Sequence, residues 1–427
     1  MRKVIYVVLD GLGDDPLAEL GDRTPLEAAH TPNLDALAAR GINGSVYTVG
    51  KGIAPESDIA VFSVLGYDPR VHHSGRGPME ALGSGMEVRD GDLVYRINFA
   101  TVGSDGIEIV DRRVGRNLTS AESQALAVEA NAKIRLEGAE CELLATVEHR
   151  GVLRIRRTDG KALSAEVTNT DPAYDRIGAL GVAKLTFEER VQICRPLEGY
   201  EDEEPAVVAA ELTNTYLREV FRVLDASLVN DARRNEQKMP GNIVLTRDGG
   251  DHLPHPPSFE ERFGARWGCF VEMPVERGIS MVLGMGQIEV PMMTGSADEQ
   301  YTTWAQQALM SIREYDGLYI HIKGPDVPAH DGRAQDKLTN IEAIDRSFFG
   351  KLLPQLGDDV IIAVTADHAT SCARKAHTDE PVPLLITGPG ITADTVTTFG
   401  ERVAPEGALG TLQGLEIMER LQTLART

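Results

Sequence analysis

Val360-Ile-Ile-Ala-Val-Thr-Ala-Asp367-His368, followed nine residues later by His377, is the stretch whose reading decides the fold. A short, uninterrupted run rich in β-branched residues reads as a strand buried on both faces, the habit of parallel sheets. It stops at two residues that act as ligands, acids or bases. Open α/β sheets hold their ligands outside the carboxyl ends of the strands, so Asp367 and His368 are site candidates. An Asp-His pair on its own is equally well a helix cap beside a solvated histidine, and two further strands decide between the readings.

Lys3-Val-Ile-Tyr-Val-Val-Leu-Asp10-Gly-Leu-Gly13 repeats the pattern, an apolar run ending in an acid and a glycine turn. Gly317-Leu-Tyr-Ile-His-Ile-Lys323-Gly-Pro-Asp326-Val-Pro-Ala-His330-Asp-Gly332 does so again. Asp10, Asp326, His330, Asp367, His368 and His377 together supply three carboxylates and three imidazoles, enough for two divalent cations once substrate, water or a hydroxyl completes each shell. Asp326 and His330 have helical spacing, but Pro325 and Pro328 predict a loop there.

Composition fits a large globular enzyme. At 427 residues the chain exceeds one simple core, so two domains or a core with an insert are expected. A net charge of -22 and a pI near 4.9 speak against nucleic acid and anionic membrane as partners. Cys141, Cys194, Cys269 and Cys372 have neither metal nor disulfide spacing, which predicts free thiols and a reducing compartment. Asp10 cuts the first apolar run well short of a signal peptide's hydrophobic region, and no run approaches the roughly 18 residues of a membrane span, so a cytoplasmic location is expected.

Along the chain, Thr31-Pro32 opens a helix closed by Gly41, the first crossover of an α/β core. In Glu56-Ser57-Asp58-Ile59, the spacing of Ile59, Phe62 and Leu65 puts Ser57 at a helix N-terminus. There it is either a cap or a nucleophile favoured by the unpaired N–H groups of the helix end. No Ser-His-Asp arrangement of the hydrolase sort surrounds it, so activation would have to come from a metal. Arg76, Arg96, Arg112, Arg113 and Arg116 lie in or near glycine-flanked turns of an acidic chain and are candidates for gripping a phosphate or carboxylate bidentately. From about Leu118 to Gly181 the texture becomes that of a compact α+β insertion, with a helix, two strand-like runs and the turn Thr168 to Arg176. The expected division is therefore a core of 1–117 and 182–427 interrupted by 118–181.

Asp10-Gly-Leu-Gly13, Glu56-Ser57-Asp58, Gly75-Arg-Gly-Pro-Met-Glu-Ala-Leu-Gly83, Asn98-Phe-Ala-Thr101, His321-Ile-Lys-Gly324 with Asp326 and His330, Ala366-Asp-His368 and His377-Thr-Asp-Glu-Pro-Val-Pro383 resemble, in the same order over nearly the whole chain, the archaeal-type cofactor-independent phosphoglycerate mutases of the alkaline phosphatase superfamily. The resemblance implies an alkaline-phosphatase-like three-layer α/β/α core with a mostly parallel sheet and a small inserted cap. It implies interconversion of 2- and 3-phosphoglycerate, in glycolysis and gluconeogenesis, through a phosphoserine at Ser57 and with no 2,3-bisphosphoglycerate requirement. Carried over by position, Asp326, His330 and His377 would hold one cation and Asp10, Ser57, Asp367 and His368 the other. Mn²⁺ is the expected ion, with Zn²⁺, Co²⁺ and Mg²⁺ as alternatives. Substrate contacts would fall to Arg76, Arg96, Arg112, Arg116, Asp171, Arg176 and Lys323, the cap shielding a phosphoserine from water. The expected partner is a small phosphorylated hydroxy acid, and a homo-oligomer is allowed. Glu56, Ala173 after Asp171-Pro172, and Asp248 in Thr246-Arg247-Asp248-Gly249-Gly250 depart from the family's pattern. They leave open a metal-dependent phosphatase or phosphotransferase of the same superfamily acting on another small phosphate ester.

Overall fold

Six consecutive residues of the Lys3–Leu9 strand, Val4 to Leu9, are buried, which requires cover on both faces of the sheet that contains them. In this computed structural model residues 2–177, 180–184, 186–290 and 295–427 are described, and they form two units, Met1–His72 with His255–Thr427, and His73–Pro254.

The first unit is built on an eight-stranded sheet in the order Gly286–Gln287, Trp267–Val271, Gly317–Ile322, Lys3–Leu9, Val360–Thr365, Val382–Thr387, Ile42–Tyr47, Gly410–Gln413. Only Val382–Thr387 runs against its neighbours. Helices Ser57–Val64, Pro274–Val282 and Gly414–Arg426 pack together as one layer, and Pro32–Ala38, Ala297–Ser311, Ala334–Ala343 and the π-helical Ile344–Phe349 as another. The α/β core with a mainly parallel sheet expected from the apolar runs is thus present. Register then places the chemistry. Val8 pairs with His321 on one side and Thr365 on the other, so Asp10 and Asp367, each two residues further on, leave the sheet level with one another.

Two local expectations change. The loop predicted around Asp326 and His330 is a short helix, Asp326–His330. Pro325 is its N-cap and Pro328 lies in its first turn, where a missing N–H breaks no intrahelical bond. The Pro32–Ala38 helix starts after Thr31 as expected, but the Thr31 side chain makes no capping bond. Asp345 of the π-helical segment accepts instead from the Asn33 and Leu34 N–H groups at 3.2 and 2.8 Å.

The second unit holds an antiparallel sheet in the order Ile109–Asp111, Leu93–Val102, Arg150–Arg157, Ala139–Ala145, with Ile243–Gly250 also pairing Leu93–Val102. Helices Ser120–Lys133 and Glu204–Asp225 cover it through Leu126, Ala130, Tyr216 and Val220. The insertion expected over 118–181 is therefore the middle of a larger unit. Leu93–Val102 lies before it and Ile243–Gly250 after it, and their ladder hydrogen bonds tie both flanks into one sheet. Residues 178 and 179 of the expected insertion lie outside the described residues. All four cysteines are free thiols, and among the described residues no helix is long and apolar enough to cross a membrane.

One buried acid gives this fold a pH dependence. Glu401 Oε2 accepts from Thr24 Oγ1 at 2.8 Å, while Oε1 is buried with no hydrogen-bond partner among the described residues. Burial pushes this carboxyl up to about 7, with the Thr24 bond opposing. A raised acid holds its proton in the folded state after the unfolded chain has lost it. Its contribution to stability is present below the ordinary glutamate range and is lost as pH rises through about 7. Glu401→Gln should leave the melting temperature unchanged at pH 4.5 and raise it at pH 8, by the equivalent of roughly 1–3 kcal/mol, since each tenfold change in proton affinity is worth about 1.4 kcal/mol. Calorimetry at the two pH values checks this.

Candidate metal centre

Asp10 follows the first strand directly, and Gly11 lets the chain turn there. Its φ is +60°, and a Cβ would sit 2.6 Å from Thr370 Oγ1 and 2.7 Å from Asp326 Oδ1. The Gly11 N–H donates to Asp367 Oδ1 at 3.1 Å, drawing the two strand-end acids together. Lys323, just past the Gly317–Ile322 strand, sets its ammonium 2.7 Å from Asp10 Oδ2 and 2.9 Å from Asp326 Oδ2. From the Ala334–Ala343 helix the fully buried Lys337 donates to the Gly13 and Thr370 carbonyls and to Asp14 Oδ2, each at 2.9 Å, which clamps the first-strand loop to the Ala369–Ser371 strand.

Expected ligands converge into two groups, Asp326 with His368 and His377, and Asp10 with Asp367, the second joined by His321, which was not among them. His330 joins the first through Nε2, 3.3 Å from Asp326 Oδ1. His368 touches both: its Nε2 lies 3.1 Å from Asp367 Oδ2, 3.5 Å from Asp10 Oδ1 and 3.1 Å from Ser57 Oγ. Ser57 is buried as the first residue of the Ser57–Val64 helix, as the apolar spacing predicts. His321, with Nε2 3.3 Å from Asp10 Oδ2, is the residue that reading single segments misses. Strand alternation carried a signal for it, since it stands level with Val8 one residue before the strand ends.

The donor set itself tests whether this cluster suits cations. His377 Nδ1 lies 2.8 Å from the Pro55 carbonyl and His330 Nδ1 lies 3.3 Å from the Lys375 carbonyl. A carbonyl only accepts, so both Nδ1 atoms carry the proton and both Nε2 atoms present lone pairs. Those two Nε2 atoms face each other at 3.1 Å with Asp326 Oδ1 beside them. Burial and then the charge of His368 lower the His377 pKa, so protonating His377 does not relieve the opposition. In the second group Asp10 Oδ1, Asp367 Oδ2 and His321 Nε2 are buried with no hydrogen-bond partner among the described residues. Buried carboxylate oxygens and imidazole nitrogens aimed at one point are the arrangement a divalent cation satisfies, taking the place of the protons the imidazoles otherwise hold, and mixed carboxylate and imidazole ligation suits first-row ions. The same charges act on the protein side. Burial opposes ionisation of Asp326, but Lys323 and the histidines win and hold it well below the ordinary carboxylate range. Burial likewise opposes charge on His368, and Asp367, Asp10 and Asp326 outweigh it and raise the imidazole to about 9.

A second cluster, of opposite sign, lies within the His73–Pro254 unit. Arg76 and Arg96 share Glu80 Oε2 at 3.5 and 3.4 Å, and Arg96 stands opposite Arg247 in the sheet. Burial, then Arg247 and Arg76, bring the Arg96 guanidinium down to about 10. The Arg247 guanidinium lies 3.8 Å from the centre of the Tyr174 ring, and Arg112 lies 5.4 Å from it. Arg112 also grips Asp171 bidentately at 2.8 and 2.7 Å. Arg116 ends a turn at φ +53°. Burial, then the charges of Arg150, Arg113, Arg96 and Arg116, drive the neighbouring His149 down to about 3, which keeps it neutral. Asp248 is a buried acid inside this cluster, at φ +52°. Arg176 turns elsewhere, to the Ala165 carbonyl and towards Glu166. Of the arginines picked from the sequence, the fold thus gathers Arg76, Arg96, Arg112, Arg113 and Arg116 and adds Arg247.

Fold and centre define a class: an α/β protein with a carboxylate and imidazole centre at the carboxyl ends of a mainly parallel sheet. A family model for 2,3-bisphosphoglycerate-independent phosphoglycerate mutase matches residues 38–230. A 2,3-bisphosphoglycerate-independent phosphoglycerate mutase of Aeropyrum pernix is 42% identical over 419 residues, covering 96% of each chain. One from Methanothermobacter thermautotrophicus is 36% identical over 99% of this chain and 98% of its own. Among solved structures, a cofactor-independent phosphoglycerate mutase from Thermoplasma acidophilum superposes with a TM-score of 0.65 at 33% identity over the whole of both chains. A protein of Pyrococcus horikoshii superposes at 0.80 with 28% identity, over 100% of this chain and 97% of its own. The chain belongs to the 2,3-bisphosphoglycerate-independent phosphoglycerate mutase family.

Glu80 carries the electrostatic balance of the arginine cluster. Removing one partner of a buried pair strands the other charge, at a cost of about 3 kcal/mol. Glu80→Gln should therefore lower the unfolding free energy by that amount in denaturant titration. Added sulfate should recover more of the loss than it adds to the wild type, because an anion can replace the missing carboxylate.

Proposed function

We propose that this protein is an enzyme interconverting 2- and 3-phosphoglycerate, with Ser57 as the nucleophile and two divalent cations held by the clustered acids and histidines. The observation that carries the reading is Ser57 Oγ at 3.1 Å from His368 Nε2, beside buried carboxylates and imidazoles at the N-terminal end of a helix. Asp326, His330 and His377 would hold one cation, and Asp10, Asp367 and His368 with Ser57 the other, His321 lying beside Asp10. When bound, the cations supply charge neutralisation for the phosphoryl group and lower the proton affinity of the hydroxyl they contact. Mn²⁺ is the favoured ion, with Zn²⁺, Co²⁺ or Mg²⁺ able to serve.

The chain's own groups account for the rest. The unpaired N–H groups of the Ser57–Val64 helix favour negative charge beside Ser57. Ser57 Oγ forms a bond to phosphorus as the bond from phosphorus to the substrate oxygen breaks, and the proton that Ser57 gives up ends on the released glycerate hydroxyl. The reverse transfer to the neighbouring hydroxyl completes the isomerisation with no net water consumed. Lys323, between Asp10 and Asp326, adds positive charge on the protein side. Arg76, Arg96, Arg112 and Arg116, with Asp171 orienting Arg112, are proposed to bind the substrate's carboxylate or phosphate. Arg176 is proposed to act with them only if it leaves Ala165 and Glu166. The free thiols are in keeping with a cytoplasmic setting.

Phosphorus NMR of the Mn²⁺-loaded protein, quenched and freed of metal before recording, tests this with 3-phosphoglycerate as substrate. Expected is conversion to 2-phosphoglycerate without free phosphate and without added 2,3-bisphosphoglycerate, lost by at least about a thousandfold in Ser57→Ala. Accumulation of inorganic phosphate would make the protein a phosphatase of the same architecture instead.

A further inference from the structure

Thr370 lies in the Ala369–Ser371 strand, fully buried, and its side chain touches Asp326 and His368, the second of which also reaches Asp367 and Asp10 of the other group. Its Oγ1 donates to Asp326 Oδ1 at 2.8 Å and lies 3.0 Å from His368 Nδ1. A hydroxyl owns a single proton, and an ionised carboxylate accepts only. With that proton committed to Asp326, the hydroxyl accepts from His368, so Nδ1 must carry a hydrogen. In the neutral imidazole that a cation requires, the lone pair is then on Nε2, the atom directed at Ser57, Asp367 and Asp10.

We propose that Thr370 is a positioning residue whose hydroxyl selects the His368 tautomer and orients Asp326, so that one side chain aligns donors from both cation sites. This rests on the reading of the cluster as a metal centre. The two remaining ligand histidines of the first group, His330 and His377, have their Nδ1–H fixed by backbone carbonyls, which cannot act otherwise. His368 alone among these three depends on a side chain that can turn, and that side chain stands on a backbone held in place on both sides. The Thr370 N–H donates to the Gly13 carbonyl at 2.9 Å, its own carbonyl accepts from Lys337, and its backbone pairs with His377. Gly11 leaves the hydroxyl room that any Cβ there would take, at 2.6 Å. Partners that orient metal-ligating histidines through the outer nitrogen typically govern affinity by roughly 10–100-fold.

The test uses the full chain stripped of metal. Thr370→Val keeps the shape and removes the hydroxyl, and Thr370→Ser keeps the hydroxyl. Calorimetric titration with Mn²⁺ should show two equivalents bound by the wild type and by Thr370→Ser, and a loss of roughly 10–100-fold in affinity for at least one of them in Thr370→Val. Nitrogen-15 NMR of the Zn²⁺-loaded wild type reads the tautomer without any substitution, and a protonated Nδ1 with a metal-bonded Nε2 on His368 is expected. Two Mn²⁺ bound as tightly by Thr370→Val as by wild type, or His368 protonated on Nε2 in the Zn²⁺ form, overturns the role of Thr370 and leaves the metal centre standing. A wild type that binds neither Mn²⁺ nor Zn²⁺ overturns both.

Discussion

Three aspartates, Asp10, Asp326 and Asp367, are buried at the carboxyl end of one sheet, and their mutual repulsion is the constraint around which the first unit is built. Like charges in a site of low dielectric do not stay ionised unless positive charge or directed donors are set among them. Lys323 reaches two of the three acids, the Gly11 N–H reaches the third, and His368 stands among all of them. Strand register keeps the acids level, and the missing Cβ at Gly11 lets the loops close on one another. Such a cluster is costly to fold and well matched to cations, and the second property explains why a protein keeps the first.

Hydrogen-bond direction does as much as charge. Carbonyls of Pro55 and Lys375 fix the proton on the outer nitrogen of His377 and His330, turning their inner nitrogens into acceptors. Pro55 stands two residues before Ser57, so one loop both holds a candidate ligand histidine and delivers the hydroxyl proposed to attack phosphorus. Backbone groups suit this task because they cannot reverse their polarity.

The second unit solves the opposite problem. In a chain of net charge -22 it gathers arginines around Glu80, Asp171 and Asp248 within a buried antiparallel sheet. Crowded positive charge and burial together lower Arg96 and keep His149 neutral. A cluster of this sign is chemically suited to an anion. The unit extends beyond the segment whose texture marks it, because a strand joins a sheet through backbone bonds that leave little trace in side-chain pattern.

Much of this was legible in the order of residues. Unbroken apolar runs ending in Asp10, Asp367 and, after a short turn, Asp326 are a local signal, since the period and length of a buried strand are written in consecutive residues. Ser57 at a helix start follows from the same kind of periodicity. The sequence alone therefore determined the α/β class, the end of the sheet at which the acids gather, and Asp10, Asp326, Asp367, His330, His368 and His377 as candidates there. Only tertiary structure decided how they meet: His321 beside Asp10, Thr370 between Asp326 and His368, Lys337 clamping two distant loops, and the helix at Asp326 where two prolines predicted a loop. These depend on register between strands hundreds of residues apart and on which atom of a side chain faces which neighbour. Neither is a property of any single segment.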